Sequence, residues 1–366
     1  MEALSIPVLV NLSALGLGLL LGALVQRTDF CTMGAISDWV LMGDSGRLRA
    51  WLLAIGVAIL GSQALHIAGL IDLGGAIYST ANFGWAGALI GGALFGFGMT
   101  LAGGCGSRSL ARLGAGNLKS LVALLVLGVF AYMTLRGLFA PARLGLEAAL
   151  NLDLKAAGAA GQGLPDLLGL LGLPAERTRP VLAVLLGGGL VLFTLADKRF
   201  RARPRLLIGG TGMGLLVVAG WAVTGILGND DFDPTPLASI TFVAPVGDSL
   251  IYLMTFTGAK LSFGISTVIG VVLGAFFMAS AQGRFRIESF ASRQDLQHHL
   301  LGGALMGTGG VLALGCTIGQ GLTGLSTLAL GSLLAFAGII AGCLLALRYL
   351  EDGTLRGAVK SLFGAY

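Results

Sequence analysis

A fifteen-residue glycine–cysteine motif occurs twice in this chain, and both copies lie in strongly apolar sequence. Residues 91–105 read GGALFGFGMTLAGGC and residues 302–316 read GGALMGTGGVLALGC, so the offset is 316 − 105 = 211 and 10 of the 15 paired positions are identical. Such agreement indicates two copies of one structural unit. Each copy ends in a cysteine where the apolar run stops. Broken helices at matching positions in two halves of a chain predict a binding site where the halves meet.

The composition places this chain in a membrane. Of its 366 residues 55% are hydrophobic and 11% are charged, against about 25% charged in a typical soluble domain, and the mean hydropathy is +0.88. A bilayer span needs about 20 apolar residues, and the alternating strands of a membrane β-barrel are absent from the sequence. We therefore predict an all-α polytopic membrane protein with about nine transmembrane helices plus re-entrant half-helices. The predicted spans are residues 6–26, 50–70, 84–103, 117–135, 180–196, 205–226, 261–281, 295–315 and 329–348.

The charges of the loops predict the orientation, because basic loops face the cytoplasm. The densest basic run, residues 198–205, is predicted inside, and the acidic loop 229–233 is predicted outside. The N-terminus is then outside and the C-terminal tail, with Arg356 and Lys360, is cytoplasmic. The loop 136–179 is predicted outside although it carries five basic residues. We expect the first span to be a retained helix rather than a signal peptide, because it lacks a basic leading region.

Counting the spans predicts that the two motif copies run in opposite directions. The copy ending at Cys105 closes the third span and the copy ending at Cys316 closes the eighth, so the chain contains two inverted repeats. We predict a first repeat over 1–139, a linker over 140–179, a connecting helix with a basic cytoplasmic loop over 180–204, and a second repeat with the tail over 205–366. Inverted repeats place a shared site near the midplane of the membrane.

A third cysteine follows the first span. Cys31 precedes about a dozen apolar residues, which are too few to cross a bilayer, so we predict a re-entrant half-helix there with a cysteine-free counterpart near 234–256. Cys316 is predicted nearest the outside, with Cys105 and Cys31 deeper. The fourth cysteine, Cys343, lies within the last span and is predicted to act as a small buried hydrophobe.

Metal and enzyme chemistry are not favoured by the pattern of cysteines and histidines. A zinc site requires closely spaced ligands, whereas there is no C-x-x-C and His66, His298 and His299 lie far from the cysteines. A nucleophilic thiol requires a neighbouring base, so we predict no enzyme, no metal and no cofactor. Thiols at the positive ends of half-helices favour anions, and thiols form weak hydrogen bonds that can release a ligand. Arg27, Arg108 and Lys260 are candidate counter-charges.

Three motifs resemble the YeeE/YedE family of sulfur-compound transporters, whose studied members take up thiosulfate. They are QRTDFCTMGAISD at 26–38, GGALFGFGMTLAGGCGSRS at 91–109 and GGALMGTGGVLALGCTIGQGL at 302–322, with a weaker match at 258–260. The resemblance implies an hourglass-shaped helical protein in which Cys31, Cys105 and Cys316 carry the substrate in turn. Leu314 stands where the motif usually has glycine, and the linker 140–178 shows no match.

The resemblance also implies a location and partners. A bacterial inner-membrane protein is expected, with thiosulfate as substrate and a separate TusA-like sulfur carrier on the cytoplasmic side; no nucleic-acid partner is expected. Transport of another sulfur or selenium species, and a membrane thiol-redox enzyme, stay as alternatives. There is no phosphate-binding loop for ATP, so uptake is expected without ATP hydrolysis. The predicted substrate-binding and transport residues are Cys31, Cys105, Cys316, Gly104, Gly315, Lys260 and Arg108.

Overall fold

The structure, a computed structural model, describes residues 5–230 and 234–362. Its first half consists of long apolar helices that alternate with two short ones. Each short helix begins directly after a cysteine of the predicted motifs. These helices are α1 (Ile6–Thr28), α2 (Thr32–Met42), α3 (Gly46–Ile67), α4 (Trp85–Leu101), α5 (Gly106–Gly114) and α6 (Leu118–Leu135).

The middle of the chain forms short helices and one more long one. A π-helical turn, Ala183–Gly188, joins α9 to α10 into one continuous helix. The helices are α7 (Ala140–Leu150), α8 (Leu164–Gly169), α9 (Ala175–Leu182), α10 (Gly189–Ala196) and α11 (Lys198–Arg201). Strand β1 (Asn82–Phe83) pairs antiparallel with β2 (Leu152–Asp153), so the linker is tied back to the first half.

The second half repeats the order of the first. Its helices are α12 (Pro204–Ala222), α13 (Val243–Met254), α14 (Phe263–Ala281), α15 (Arg293–Leu312), α16 (Leu330–Asp352) and α17 (Leu355–Leu362). A π-helical turn, Val223–Leu227, extends α12. Residues 317–326, which contain the π-helical turn Gly319–Gly324, form a short helix that we call the Cys316 half-helix.

Within the described residues, eight helical stretches are long and apolar enough to cross a membrane. They are Ile6–Met42, Gly46–Ile67, Trp85–Gly114, Leu118–Leu135, Ala175–Ala196, Pro204–Leu227, Phe263–Ala281 and Leu330–Asp352. The remaining predicted span, 295–315, is the helix α15, whose 20 residues reach about 30 Å. Its first turns carry Arg293, Asp295 and two histidines, so its length qualifies but its apolarity does not. The all-α polytopic fold is confirmed.

The long helices pack in pairs that are related by an approximate two-fold operation. Helix α1 packs along α14 as α12 packs along α3, and α4 packs along α16 as α15 packs along α6. Both members of each pair run in the same direction, whereas α4 and α15, which carry the two motif copies, cross antiparallel. Glycines allow these close contacts: a Cβ at Gly22 of α1 would overlap the carbonyl oxygen of Val271 in α14. Equivalent helices therefore point in opposite directions, as in inverted repeats.

A short non-helical segment follows α5 and another follows the Cys316 half-helix, and each pairs with a distant part of the chain. After α5, the backbone of residues 115–118 pairs with residues 286–288, which lie between α14 and α15. After the Cys316 half-helix, Gly163 of the linker pairs with Ala329, and Gln162 Oε1 accepts a hydrogen bond from the Gly331 N–H at 3.1 Å. The linker thus covers one end of the second half, a role that its sequence did not predict.

Candidate functional site

Each of the three motif cysteines stands at the first position before a short helix. The carbonyl oxygens of Cys31, Cys105 and Cys316 accept the first helical hydrogen bonds, from the N–H groups four residues later, at 3.0, 2.8 and 2.7 Å. This is the geometry of an N-cap residue. The thiols therefore lie at the positive ends of helices, where anions are favoured. All three are free and buried, with exposed fractions of 7%, 1% and 0%.

The two motif copies end in the same backbone geometry. Gly104 N–H bonds to Met99 O at 2.8 Å, and its counterpart Gly315 N–H bonds to Gly310 O at 2.8 Å. This closure requires a left-handed residue just before it. Gly103 fills that position with φ 71°, whereas the second copy uses Leu314 with φ 57°. The unusual leucine therefore keeps the shape of the turn but adds a side chain that is 46% exposed.

A cavity of about 440 Å³, which we call the basic cavity, reaches Cys31. Its charged lining consists of five arginines and two acids: Arg47, Arg108, Arg112, Arg284, Arg286, Asp29 and Glu288. The guanidinium groups of Arg47 and Arg108 lie within electrostatic range of the Cys31 thiol. An excess of fixed positive charge in a low-dielectric cleft attracts anions.

Arg108 is held in the lining of this cavity by the end of α1. Its Nη2 donates to Asp29 Oδ1 at 2.8 Å, and its Nη1 donates to Val25 O at 3.4 Å. A Cβ at Gly104 would lie 3.0 Å from Arg108 Cγ. The glycine before Cys105 therefore leaves room for the side chain of Arg108.

A second cavity of about 470 Å³, which we call the opposite cavity, lies at the other end of the bundle. Its lining includes Asn11 from the start of α1, whereas Gln26 and Asp29 from the end of α1 line the basic cavity. Lys260 and Asp248 also line it, and Asp248 accepts a hydrogen bond from the Tyr132 hydroxyl. Asn11 and Gln26 are 15 residues apart on α1, so the linings of the two cavities are separated by about 22 Å along this helix.

The cysteines lie between these two cavities. Cys105 is within electrostatic range of both Cys31 and Cys316. The Cys316 half-helix approaches the floor of the opposite cavity, because a Cβ at Gly319 would lie 2.6 Å from the Oγ1 of Thr241, which lines that cavity. The spatial order from the opposite cavity to the basic cavity is therefore Cys316, Cys105 and Cys31.

Comparison with known proteins assigns the family. The family described as sulphur transport matches residues 27–345, which include Cys31 and both copies of the glycine–cysteine motif. The chain belongs to the sulphur transport family. It is 29% identical over 324 residues to a protein of Escherichia coli (strain K12) named thiosulfate transporter TsuA, covering 85% of this chain and 86% of that one. A protein of the same name from Spirochaeta thermophila is 29% identical over 330 residues, covering 89% and 94%.

Membership of the sulphur transport family makes this chain a multi-pass membrane transporter rather than an enzyme. Within the described residues, no group of three or more His, Cys, Asp or Glu side chains is arranged to hold a metal ion. The resemblance of the three cysteine motifs to sulfur-compound transporters is confirmed.

The predicted site residues fall into two groups. Cys31, Arg108 and Gly104 meet at or beside the basic cavity, with Cys105 and Cys316 following behind them. Gly315 lies at the turn before Cys316, where a Cβ would be 3.3 Å from Gln320 Cγ. Lys260 is exposed and lies at the opposite cavity, away from this group, and Arg27 is exposed and does not line either cavity.

Of the seven charged residues that line the basic cavity, the sequence predicted a site role for Arg108 and missed the other six. Asp29 lies two residues before Cys31 inside a motif that was noted only for its cysteine, and Arg112 follows Arg108 by one helical turn. Arg47 lies in the first turn of α3. Its guanidinium lies over the first turn of α2, where a Cβ at Gly34 would be 2.7 Å from Arg47 Nη1.

Two threonine hydroxyls directly after the cysteines are buried without a partner. The Oγ1 atoms of Thr32 and Thr317 form no hydrogen bond within the described residues, and the residues are 2% and 0% exposed. Buried hydroxyls are normally satisfied, and an exception at a helix N-terminus points to a ligand or water. The fourth cysteine, Cys343, accepts a hydrogen bond from Thr100 Oγ1 at 3.2 Å inside the α4–α16 contact.

The pKa values of Tyr78 and Asp44, which lie outside the membrane-spanning helices, are shifted from their usual values. Burial raises the pKa of Tyr78, whose hydroxyl interacts with Thr241 and whose ring lies near Cys316. This neutral side chain belongs to the short turn Ile77–Ser79 that covers the Cys316 half-helix. The Arg203 guanidinium, hydrogen-bonded to Asp44, lowers the pKa of that carboxyl.

Proposed function

We propose that this chain takes up thiosulfate and passes it from Cys316 to Cys105 to Cys31. One observation carries the proposal: three free, buried thiols, each at the positive end of a short helix, form a series between two cavities at opposite ends of the bundle. The names of the two relatives support thiosulfate as the substrate.

The chemistry of the ligand fits the chemistry of this series. Thiosulfate carries a terminal sulfur and three oxygens, and it bears two negative charges. A thiol is a weak donor to sulfur and oxygen, and the helix N-termini favour negative charge. The hydroxyls of Thr32 and Thr317 add one donor beside each end of the series. Weak contacts at several sites allow an ion to enter and to leave.

The orientation follows from the charge of the cavities and loops. We assign the basic cavity to the cytoplasmic face of a bacterial inner membrane, since basic loops remain inside. The N-terminus is then outside and the C-terminus is cytoplasmic. The repeats extend over 1–139 and 205–366, with the linker 140–179 outside and the segment 180–204 leading back to the cytoplasmic face. A TusA-like carrier would receive sulfur at the basic cavity.

Uptake of labelled thiosulfate by cells that lack other sulfate and thiosulfate importers tests the proposal. Expression of this chain should restore uptake. Changing Cys31, Cys105 or Cys316 to Ala should abolish uptake, whereas Cys343→Ala, the matched buried cysteine, should retain it. A well-expressed wild-type protein that gives no uptake would contradict thiosulfate as the substrate, and selenium and other sulfur anions would then be assayed.

A further inference from the structure

We propose that Asp29 is a positioning residue for substrate release: its carboxylate competes with the transported anion for the guanidinium of Arg108. This inference rests on the proposed function, because it assumes that an anion passes Cys31 into the basic cavity. It adds a residue and a step that the series of thiols does not contain, namely the exchange of Arg108 between a bound anion and an acid of the protein.

The structure places Asp29, Arg108 and Cys31 together at the basic cavity, which all three residues line. The ion pair between Arg108 Nη2 and Asp29 Oδ1 measures 2.8 Å, and the two side chains are 20% and 42% exposed. Arg108 is within electrostatic range of the Cys31 thiol. An anion that leaves Cys31 therefore reaches Arg108 while this arginine is already paired with Asp29.

The end of α1 fixes the backbone position of Asp29. Asp29 ends α1 in the left-handed conformation, with φ 55° and ψ 34°, and its N–H bonds to Val25 O at 3.0 Å. Arg108 Nη1 contacts the same carbonyl oxygen at 3.4 Å. Aspartate and asparagine tolerate this conformation better than most residues. The helix end thus fixes the backbone of Asp29, and the bond to Arg108 Nη2 orients its carboxylate.

The charge balance explains why a release residue is needed. Five arginines line the basic cavity against two acids. A bidentate or charge-assisted bond from arginine to an oxyanion is strong, and conduction requires a site that binds weakly enough to release its ion. A carboxylate already bonded to Arg108 lowers the net attraction for a second anion. Removing the carboxylate should therefore tighten binding and slow release.

Asp29→Asn tests this step in purified full-length protein and in cells. Asparagine keeps the left-handed backbone and removes the charge. We expect thiosulfate to bind about tenfold more tightly, which corresponds to about 1.4 kcal/mol, while the maximal uptake rate falls several-fold. A structural defect would instead weaken binding and lower the rate together. Thermal unfolding in detergent verifies that the variant is folded.

Two control experiments distinguish a specific role of Asp29 from a general effect of the net charge of the basic cavity. Glu288→Gln removes the other acid of the same cavity, whose carboxylate is bonded to Asn117 Nδ2 at 2.6 Å, and it changes the cavity charge by the same amount. Equal tightening in both variants would assign the effect to net charge and overturn the proposal. In an Arg108→Gln background the effect of Asp29→Asn should disappear, since the two residues act as one unit.

The possible failures are distinguishable. If the wild-type protein neither binds nor takes up thiosulfate, the proposed function is wrong. If the wild-type protein transports thiosulfate and Asp29→Asn has unchanged affinity and rate, or binds more weakly, the series of thiols stands and Asp29 has no role in release.

Discussion

Leu314 is a residue whose backbone conformation suits glycine. It takes φ 57° at the turn where the first motif copy has Gly103. A left-handed conformation costs an L-residue about 1–2 kcal/mol. Replacement by glycine removes this cost, but the greater entropy of glycine in the unfolded chain cancels about 0.5–1 kcal/mol of the gain. We expect Leu314→Gly to raise the free energy of unfolding by about 0.5–1 kcal/mol, measured by thermal unfolding in detergent. Leu314→Ala keeps the Cβ and should bring no gain; equal stabilisation by both variants would contradict the strain.

Thr317 offers a test that separates function from stability. Its buried hydroxyl has no partner within the described residues, and an unsatisfied buried group costs about 1–3 kcal/mol. Thr317→Val has nearly the same shape without the hydroxyl. We expect unchanged or higher thermal stability together with an uptake rate about tenfold lower, because a hydrogen bond to a charged group is lost. Thr317→Ser should retain uptake. A valine variant with full uptake would remove Thr317 from substrate contact.

At the scale of single residues the sequence predicted the cysteines and Arg108 but not the other charged residues around them. At Cys105 and Cys316, a cysteine at the end of an apolar run with glycine before it marks a helix break from local pattern alone. The pair Asp29–Arg108 joins residues 79 positions apart, and it depends on how α1 and α5 pack. Nothing in the local sequence distinguishes this arginine from Arg27, which is exposed.

Helix pairs are held together by glycines that admit a neighbouring backbone. A Cβ at Gly22 would overlap Val271 O and lie 2.8 Å from Ala275 N, whereas a Cβ at Gly16 of the same helix would meet nothing within 4 Å. We expect Gly22→Ala to destabilise the protein by about 1–3 kcal/mol and Gly16→Ala to be neutral or slightly stabilising. Thermal unfolding of both variants in one detergent measures the difference. Equal effects would show that α1 and α14 do not pack this closely.

At the scale of elements the two halves were predictable and the linker was not. Apolar length and the repeated motif predicted the order of the long helices and the half-helices α2 and α13, but not α5 or the Cys316 half-helix. The linker instead contributes a strand, a pair of short helices and the Gly163–Ala329 bridge. Its partners lie far along the chain and its composition is ordinary, so no local pattern indicated that it would cover the second half.

An ion pair connects the first half to the loop before α12, at the end of the bundle that carries the basic loops. Arg203 Nη1 donates to both carboxylate oxygens of Asp44, at 3.0 and 2.7 Å, and this bond lowers the pKa of Asp44. A folded-state pKa below the unfolded-state pKa of about 3.9 stabilises the fold at any pH above that unfolded-state pKa. The contribution is lost as the pH falls through the folded-state pKa. Because both side chains are nearly half exposed, we expect less than about 1 kcal/mol.

The pH dependence of a variant checks this contribution. Asp44→Asn should lower the melting temperature at neutral pH, and the difference from the wild type should shrink as the pH falls below about 4. High salt should shrink it as well, since exposed pairs are screened. A difference that stays constant between neutral and acidic pH would assign the effect to packing rather than to charge.

The orientation of the whole protein in the membrane can be measured by labelling its thiols. Cys31 lines the basic cavity and is 7% exposed, whereas Cys316 is fully buried behind Thr241 at the opposite cavity. We expect a membrane-impermeant, negatively charged thiol reagent to label single-cysteine Cys31 protein faster in inside-out vesicles than in intact cells. The arginines should draw this reagent into the cavity and slow a positively charged reagent of the same size. In intact cells, Cys316 should be labelled no more slowly than Cys31. Faster labelling of Cys31 than of Cys316 from outside would reverse the orientation, so that the basic cavity would receive the anion rather than release it, and Asp29 would then stand at the entrance of the path.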